Sequence, residues 1–199
     1  MAHDTLTSSE EPIEGSLMTA EDLARLPDDG WKYQLIEGRV LRMPPAGGDH
    51  DNIAARLVIL LGVFVQTRSL GEITLSQSGY LVNLPDEQEK LLVPDLAFVS
   101  AARVPKRGTA EAKGFWRLAP DLVVEVVSPS QSQSEMEKTA RRWLEAGTRL
   151  VWIIWPDTQQ VDVWRPGVEQ PTSTLGSSEE LDGLDVLPGF RCPIARLFR

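Results

Sequence analysis

The stretch Ala119-Pro120-Asp121-Leu122-Val123-Val124-Glu125-Val126-Val127-Ser128-Pro129-Ser130 is an apolar, β-branched run bounded by two prolines. Such a run is typical of a buried strand. Glu125 lies at its centre, where an ionised carboxylate is costly unless a metal ion or a cation compensates it. A second apolar run, Leu91 to Val99, carries Asp95 in the same way. The two carboxylates together predict a functional site on a sheet.

The bulk properties indicate one soluble domain. The chain has 199 residues, 42% hydrophobic and 25% charged, and a chain of this length buries roughly 70% of its unfolded surface. No apolar run approaches the roughly 20 residues that span a bilayer. Residues 1–17 are polar and lack the centre of a signal peptide, so we expect a flexible tail, a domain over residues 18–199 and a cytoplasmic location. The single Cys192 agrees with a reducing compartment.

The net charge of −9 argues, taken alone, against a protein that grips nucleic acid, because such proteins usually show a basic surface. The sign is not decisive, since enzymes that hold metal ions with carboxylates carry local negative charge. Five basic residues still cluster in one region without a consistent period, which predicts a loop with one helical turn: Arg103, Lys106, Arg107, Lys113 and Arg117.

Capping residues and periodicity predict the elements before this loop. A capping box at Thr19 predicts a short helix over 20–26. Alternating residues around Glu37-Gly38 predict a hairpin of strands 32–36 and 39–43, closed by a turn at 44–48. Helical spacing of apolar residues predicts a long helix over 49–67. Residues 72–84 then contain two β-like pieces, which we interpret as a meander leading through a polar turn at 85–90 to the Asp95 strand.

The elements after Glu125 follow the same rules. A helix over 132–146 ends at Gly147, and its predicted core stripe is Met136, Ala140, Trp143 and Leu144. Residues 149–155 and 160–164 predict a hairpin whose tryptophans are expected in the core or at a dimer interface. Residues 167–180 are predicted to be loop, and short apolar pieces in 181–198 to cover a sheet edge. The fold class is therefore α/β, with a mixed sheet flanked by helices.

Adjacent strands would let Asp95 and Glu125 approach one metal ion. Oxygen-only ligation with open positions suits Mg²⁺ or Mn²⁺. Such an ion polarises a phosphodiester and activates water. The alternative is that each carboxylate faces solvent or pairs with an arginine.

Several motifs in order resemble the Uma-two family of endonucleases within the PD-(D/E)XK nuclease superfamily. The resemblance runs from about Met18 to Phe198 and is carried by Tyr33-Gln34-Leu35-Ile36-Glu37-Gly38, His50, Val93-Pro94-Asp95, the stretch 120–130, and Ala146-Gly147-Thr148-Arg149-Leu150-Val151-Trp152. It implies a single restriction-endonuclease-like domain, dependence on a divalent metal and nucleic-acid substrates. It makes Asp95 and Glu125 the metal ligands, with the backbone carbonyl of Val126 as a further ligand.

The catalytic lysine is where this chain departs from the pattern. The superfamily lysine lies two residues after the glutamate, where this chain has Val127. The family is similar in placing its lysine on the following helix, where Lys138 is the available lysine. The family position, four residues before the aromatic residue matching Trp143, is Thr139. At about 100° per residue Lys138 falls opposite the core stripe, so either the helix start is bulged, Arg142 reaches the site, or the lysine is missing.

Other candidate residues keep two interpretations each. Gln34 stands where the family commonly has glutamate, and its amide can bind water or a metal only weakly. Glu37, the nearby carboxylate, is in a tight hairpin where simple exposure explains it equally well. His50 lies on the inward face of its helix. One interpretation is that it contacts phosphate or metal-bound water, and the other is that it has a structural role. Asp121 is expected to be a turn residue.

Two main hypotheses remain. In the first, the protein is a Mg²⁺-dependent endonuclease acting on DNA, with Asp95, Glu125, Lys138, Gln34 and His50 in the site and basic loop residues on the phosphates. A double-strand cut needs two sites, so a homodimer is compatible with this hypothesis. In the second, the fold is catalytically degenerate and acts as a nucleic-acid- or protein-binding module. Acid–base hydrolysis of a non-nucleotide substrate is a third option that no sugar-binding signature supports.

Overall fold

The computed structural model describes residues 15–26, 31–36, 38–43, 47–84 and 89–199. The predicted turns at 27–30, 37 and 44–46, most of the polar turn at 85–90, and residues 1–14 of the predicted tail lie outside the described residues. Residues 15–17 of that tail are hydrogen-bonded to the second strand: the Gly15 amide donates to the Val40 carbonyl at 2.8 Å, and the Val40 amide donates to Ser16 at 2.9 Å.

The described residues form twelve strands and four α-helices. The strands are β1 (Lys32–Ile36), β2 (Arg39–Met43), β3 (Gly71–Leu75), β4 (Tyr80–Val82), β5 (Lys90–Leu92), β6 (Leu96–Ser100), β7 (Leu122–Val126), β8 (Leu150–Trp155), β9 (Gln160–Trp164), β10 (Ser173–Leu175), β11 (Glu180–Asp182) and β12 (Arg191–Pro193). The helices are α1 (Ala20–Leu23), α2 (Gly48–Thr67), α3 (Ala110–Lys113) and α4 (Gln133–Glu145), and a 3₁₀ turn follows at Ile194–Arg196.

A six-stranded mixed sheet in the order β10-β9-β8-β7-β6-β3 is the centre of the molecule. Its only parallel pair in the described chain is β7 with β8, which are joined through α4 as a parallel crossover requires. Alternate residues of β7 point to opposite faces. Val124 and Val126 join a core with α2 and the C-terminal segment, while Val123 and Val127 join a core with α4. The predicted α/β class, with a mixed sheet flanked by helices, is confirmed.

A second sheet, in the order β2-β1-β5-β4, packs around its own small core. Its β1–β2 hairpin has the predicted strand limits. The predicted meander is wrong, because β3 pairs with β6 in the central sheet whereas β4 pairs with β5 in the smaller one. The run 91–99 is also not one strand: β5 ends at Leu92 and β6 begins at Leu96, so Asp95 lies in the link between the two sheets.

Local signals located the helices well. The Thr19–Asp22 capping box is present, although α1 ends at Leu23 rather than at 26. The helix α4 begins after Ser132 and is followed by Gly147, whose φ is 104°. Residues 167–180 contain the edge strand β10, which the polar sequence did not indicate. The final apolar pieces fill the core below α2, where Leu181, Leu187, Ile194 and Leu197 are fully buried.

No helix in the described part of the chain has the length and apolar character needed to cross a membrane.

Candidate active site

Asp95 lies immediately before β6, and Glu125 lies in β7, the antiparallel neighbour of β6. The register pairs Leu96 with Val124, so one step further places Asp95 opposite Glu125. Two hydrogen bonds connect the two chain segments. The Asp95 amide donates to Glu125 Oε2 at 3.3 Å, and the amide of Val126, the residue after Glu125, donates to Asp95 Oδ2 at 2.9 Å. Each carboxylate is therefore bound by a backbone amide of the facing strand. Strand alternation puts Glu125 on the α4 side of the sheet, between Val123 and Val127.

Glu125 is buried beneath α4, with 7% of its surface exposed. Its Oε1 accepts a hydrogen bond of 2.9 Å from the indole Nε1 of Trp143, a fully buried side chain of that helix. Val127, two residues further on the same face, is buried in the same core. The position of the superfamily lysine is thus filled by an apolar side chain.

His50, at the start of α2, contacts the other carboxylate. Its Nε2 lies 3.0 Å from Asp95 Oδ2, and its Nδ1 lies 3.4 Å from Asp51 Oδ1. Burial, the largest single influence, lowers the pKa of His50, but the hydrogen bonds and charges of Asp95 and Asp51 outweigh it and raise the pKa above its usual value. The predicted inward orientation of His50 is confirmed, and its Asp95 contact holds α2 against the site.

Gln34 reaches the site from the smaller sheet. Its Nε2 donates to the Val93 carbonyl at 3.2 Å, two residues before Asp95. This bond ties β1 to the link that carries Asp95. Gln34 therefore supports the position of the carboxylate, and its predicted contact with water or metal stays a prediction.

These residues line one cleft with a volume of about 740 Å³. One wall comes from the smaller sheet and includes Trp31, Gln34 and Leu41, and the other comes from the loop after β7 and the first turns of α4. Lys138, Thr139 and Arg142 all line that second wall, together with Glu135.

Lys138 is exposed, as its position on the helix predicts, yet it also lines the cleft. Residues 133–145 are all α-helical, so no bulge shifts Lys138 into the family position at Thr139. The alternative of a bulged helix start is therefore wrong. Two cationic side chains, Lys138 and Arg142, instead border the cleft from consecutive turns.

The basic loop serves another part of the molecule. None of its five basic residues is among those lining the described cleft. Arg103 Nη1 binds Asp121 Oδ1 at 2.7 Å, and Arg117 is hydrogen-bonded to Glu89. Asp121, expected to be a turn residue, is 2% exposed and also accepts a 2.8 Å hydrogen bond from the Ser100 amide. It lies at the opposite end of β7 from Glu125 and forms a structural ion pair.

The oxygen donors of the cleft fit a hard divalent cation. The described residues contain no group of three or more His, Cys, Asp and Glu side chains arranged to hold a metal ion. Two carboxylates suffice for Mg²⁺, which is commonly held by one or two carboxylates while water and substrate phosphate complete its shell. The Asp95 and Glu125 carboxylates both line the cleft, and each is held by a backbone amide, so they match that donor set.

The sequence did not indicate the role of Trp143 at the site. Trp143 was predicted only as part of the core stripe, but its N–H binds the buried carboxylate. A buried indole usually finds a partner for its N–H, so the helical position of Trp143 facing the Glu125 strand was the available signal. Trp31 and Leu41 on the far wall carried no recognisable signal.

Comparison with known proteins gives two results. A family model, Uma2, described as "Putative restriction endonuclease", matches residues 20–195. A crystal structure from Anabaena variabilis ATCC 29413, described as "a putative nuclease belonging to DUF820", superimposes with a TM-score of 0.76 at 25% sequence identity, over 91% of this chain and 97% of that chain. No curated protein matches. The family match spans nearly the whole chain, and the chain therefore belongs to the Uma2 family of restriction-endonuclease-like proteins.

Proposed function

We propose that this protein is a divalent-metal-dependent endonuclease that hydrolyses phosphodiester bonds of DNA in the cleft between the two sheets. The observation that carries the proposal is the carboxylate pair of Asp95, immediately before β6, and Glu125, in the neighbouring strand β7. Family membership supports nuclease chemistry. The printed description of the Anabaena variabilis protein points to the same class of reaction.

Asp95, Glu125 and the Val126 carbonyl would hold Mg²⁺ or Mn²⁺. Such an ion, when bound, polarises the phosphodiester and makes water a better nucleophile. The protein's part is to keep both carboxylates in place, through the facing amides and the His50 contact with Asp95. A fixed geometry of this kind avoids reorganisation during the reaction.

Phosphate oxygens need cationic partners in the cleft. Lys138 and Arg142 border the cleft, and their ammonium and guanidinium groups, respectively, are suited to binding phosphate. The basic loop is less suited to this task, because none of its five basic residues lines the described cleft. We assign phosphate binding to α4 rather than to the loop. This local charge lets a chain with a net charge of −9 bind DNA.

A second candidate function follows from Val127, which is buried where the superfamily has its lysine. Without a residue that orients the attacking water, the same cleft would bind nucleic acid or protein without cleaving. The two functions share the fold and differ in whether a cation of α4 takes the lysine's place.

The test is nicking of supercoiled plasmid in Mg²⁺ or Mn²⁺. Asp95→Asn and Glu125→Gln keep the size of each side chain but remove its charge, and we expect each to lower the rate by more than about 100-fold, because metal ligation depends on ionised carboxylates. Asp185→Asn is the matched control, since that exposed carboxylate lies outside the cleft and should leave the rate unchanged. Equal rates in wild type and Asp95→Asn would contradict the proposal.

The same assay identifies the cation. Lys138→Ala and Arg142→Ala are compared with Lys106→Ala, which changes a basic residue that does not line the cleft. If α4 supplies the catalytic cation, one of the first two variants loses cleavage while Lys106→Ala does not. Retention of metal and DNA binding without cleavage by wild type would favour the binding module. Linear product formed directly from supercoiled plasmid would indicate paired sites, as in a homodimer, whereas nicked circles indicate one.

A further inference from the structure

Three buried tryptophans differ in what their N–H groups contact. Trp143, Trp152 and Trp164 are each at most 2% exposed. The N–H of Trp152 and that of Trp164 have no hydrogen-bond partner within the described chain. The N–H of Trp143 donates to Glu125 at 2.9 Å. The fold therefore accommodates two buried indoles without a hydrogen bond to their N–H groups from the described residues. The bond between Trp143 and Glu125 is not needed merely to bury the ring, which indicates a separate role for it.

The helix α4 aims this N–H. The capping box of Ser132 and Glu135 fixes where the helix begins. Met136, Ala140 and Trp143 then follow at helical spacing and pack in one core with Val123 and Val127, which flank Glu125 on the same face of β7. The Trp143 ring packs in a T-shaped arrangement with Tyr80, with ring centroids 6.2 Å apart. The indole therefore approaches Glu125 in one defined orientation.

We propose that Trp143 is a positioning residue for Glu125, an inference that rests on the function proposed above. The two oxygens of this carboxylate are held separately, Oε1 by the Trp143 indole and Oε2 by the Asp95 amide. Each carboxylate oxygen can accept more than one hydrogen bond or ligand, so both bonds leave capacity for a metal ion. The indole fixes the rotation of the carboxylate beside Asp95.

Loss of this N–H should weaken metal binding more than folding. Groups that orient a metal ligand typically change metal affinity by 10- to 100-fold when they are removed. A bulky ring at position 143 is still needed to fill the core. The informative change therefore keeps the ring and removes only the N–H.

The sharpest variant replaces Trp143 with benzothienylalanine, in which sulfur takes the place of the indole N–H. The matched control is the same replacement at Trp164, which lies in the same core and has no partner for its N–H within the described residues. We expect Mn²⁺ affinity, measured by calorimetry, to fall about 10- to 100-fold for the first variant and to stay unchanged for the second. Both should melt within a few degrees of wild type. Trp143→Phe is a second variant, expected to lose both metal affinity and stability.

Nuclear magnetic resonance gives a readout independent of both activity and core packing. With ¹⁵N-labelled indoles, the Trp143 N–H resonance should shift when Mg²⁺ is added, because its acceptor becomes a metal ligand, while the Trp164 resonance should not. Wild type that binds no divalent metal would overturn the proposed function and this inference together. Wild type that binds metal with the same affinity as the Trp143 replacement would overturn this inference alone.

Discussion

Asp121, immediately before β7, and Glu125, near the end of β7, are stabilised by different means. Asp121 binds the Arg103 guanidinium and the Ser100 amide. Glu125 accepts hydrogen bonds from the Trp143 indole and the Asp95 amide. An arginine partner compensates the charge of Asp121, while the indole and amide N–H groups orient the carboxylate of Glu125. This difference separates the structural carboxylate of β7 from the candidate catalytic one.

Asp121→Asn should destabilise the protein in a pH-dependent way. Burial is the largest single influence and raises the pKa of Asp121. The hydrogen bonds from Ser100 and Arg103 and the charge of Arg103 together outweigh it, so the folded pKa lies below the unfolded pKa. The ionised carboxylate therefore stabilises the fold above the unfolded pKa of about 3.9, and this contribution is lost as pH falls through the folded pKa. We expect Asp121→Asn to cost about 1–3 kcal/mol at pH 7 and less at an acidic pH below the folded pKa of Asp121.

Urea unfolding at both pH values measures this difference. Asp185→Asn is the control, because Asp185 also binds two arginines but its side chain is 52% exposed. Exposed ion pairs contribute about 0–1 kcal/mol. A cost for Asp121→Asn that is the same at both pH values would show that size or shape, rather than charge, matters there.

For single residues, the sequence predicted those whose charge is unusual among apolar neighbours. Asp95 and Glu125 stood out because each lies in an apolar run. Partner choice could not be predicted in the same way. Arg103 was expected on phosphates, yet it binds Asp121, because that contact depends on how a long loop returns to the sheet.

Among elements, those defined by local chemistry were predicted best. The β1–β2 hairpin and α4 follow from turn and cap residues near them in sequence. The strands β3 and β4 are also in the predicted places, but their partners lie in different sheets, and partner choice depends on distant residues. The strand β10 was missed because an edge strand with half its surface in water needs no apolar run.

Two glycines provide a test of element geometry. Gly71 begins β3, and a Cβ there would lie 2.0 Å from the Val99 carbonyl oxygen. Gly62, in the interior of α2, has open space around it. We expect Gly71→Ala to lower the free energy of unfolding by about 1–3 kcal/mol and Gly62→Ala to raise it by about 0.5–1 kcal/mol. Thermal unfolding of both variants measures these two changes in stability. A stabilising Gly71→Ala would show that the β3–β6 contact is looser than described.

Across the whole molecule, the central sheet is covered by two separate layers. The core on one face joins α2 to the C-terminal segment, and the core on the other face joins α4 to the strands that carry the carboxylates. The last residues are part of this architecture, since Leu197 is fully buried and its carbonyl accepts a 3.0 Å hydrogen bond from Arg56 of α2. The general class was predictable from element order, whereas the division into two sheets was not.

Leu197→Ala should test the closure of that layer. Truncating a fully buried leucine costs about 2–5 kcal/mol. Ile59→Ala, on the outer side of α2 where the residue is 64% exposed, should change stability by less than about 0.5 kcal/mol. Urea unfolding separates the two. A small cost for Leu197→Ala would show that the C-terminal segment detaches before the rest unfolds.

The cross-strand amides that bind Asp95 and Glu125 have an evolutionary consequence. The pairing of β6 with β7 determines which residues meet, whereas the connection between them runs through residues 101–121. Insertions or deletions in that connection can accumulate without moving either carboxylate. A single-residue insertion inside β7 would turn Glu125 to the α2 face and abolish the pair. Distant relatives should therefore vary in loop length and keep strand length, and an alignment that places its gaps within these strands would pair the wrong residues.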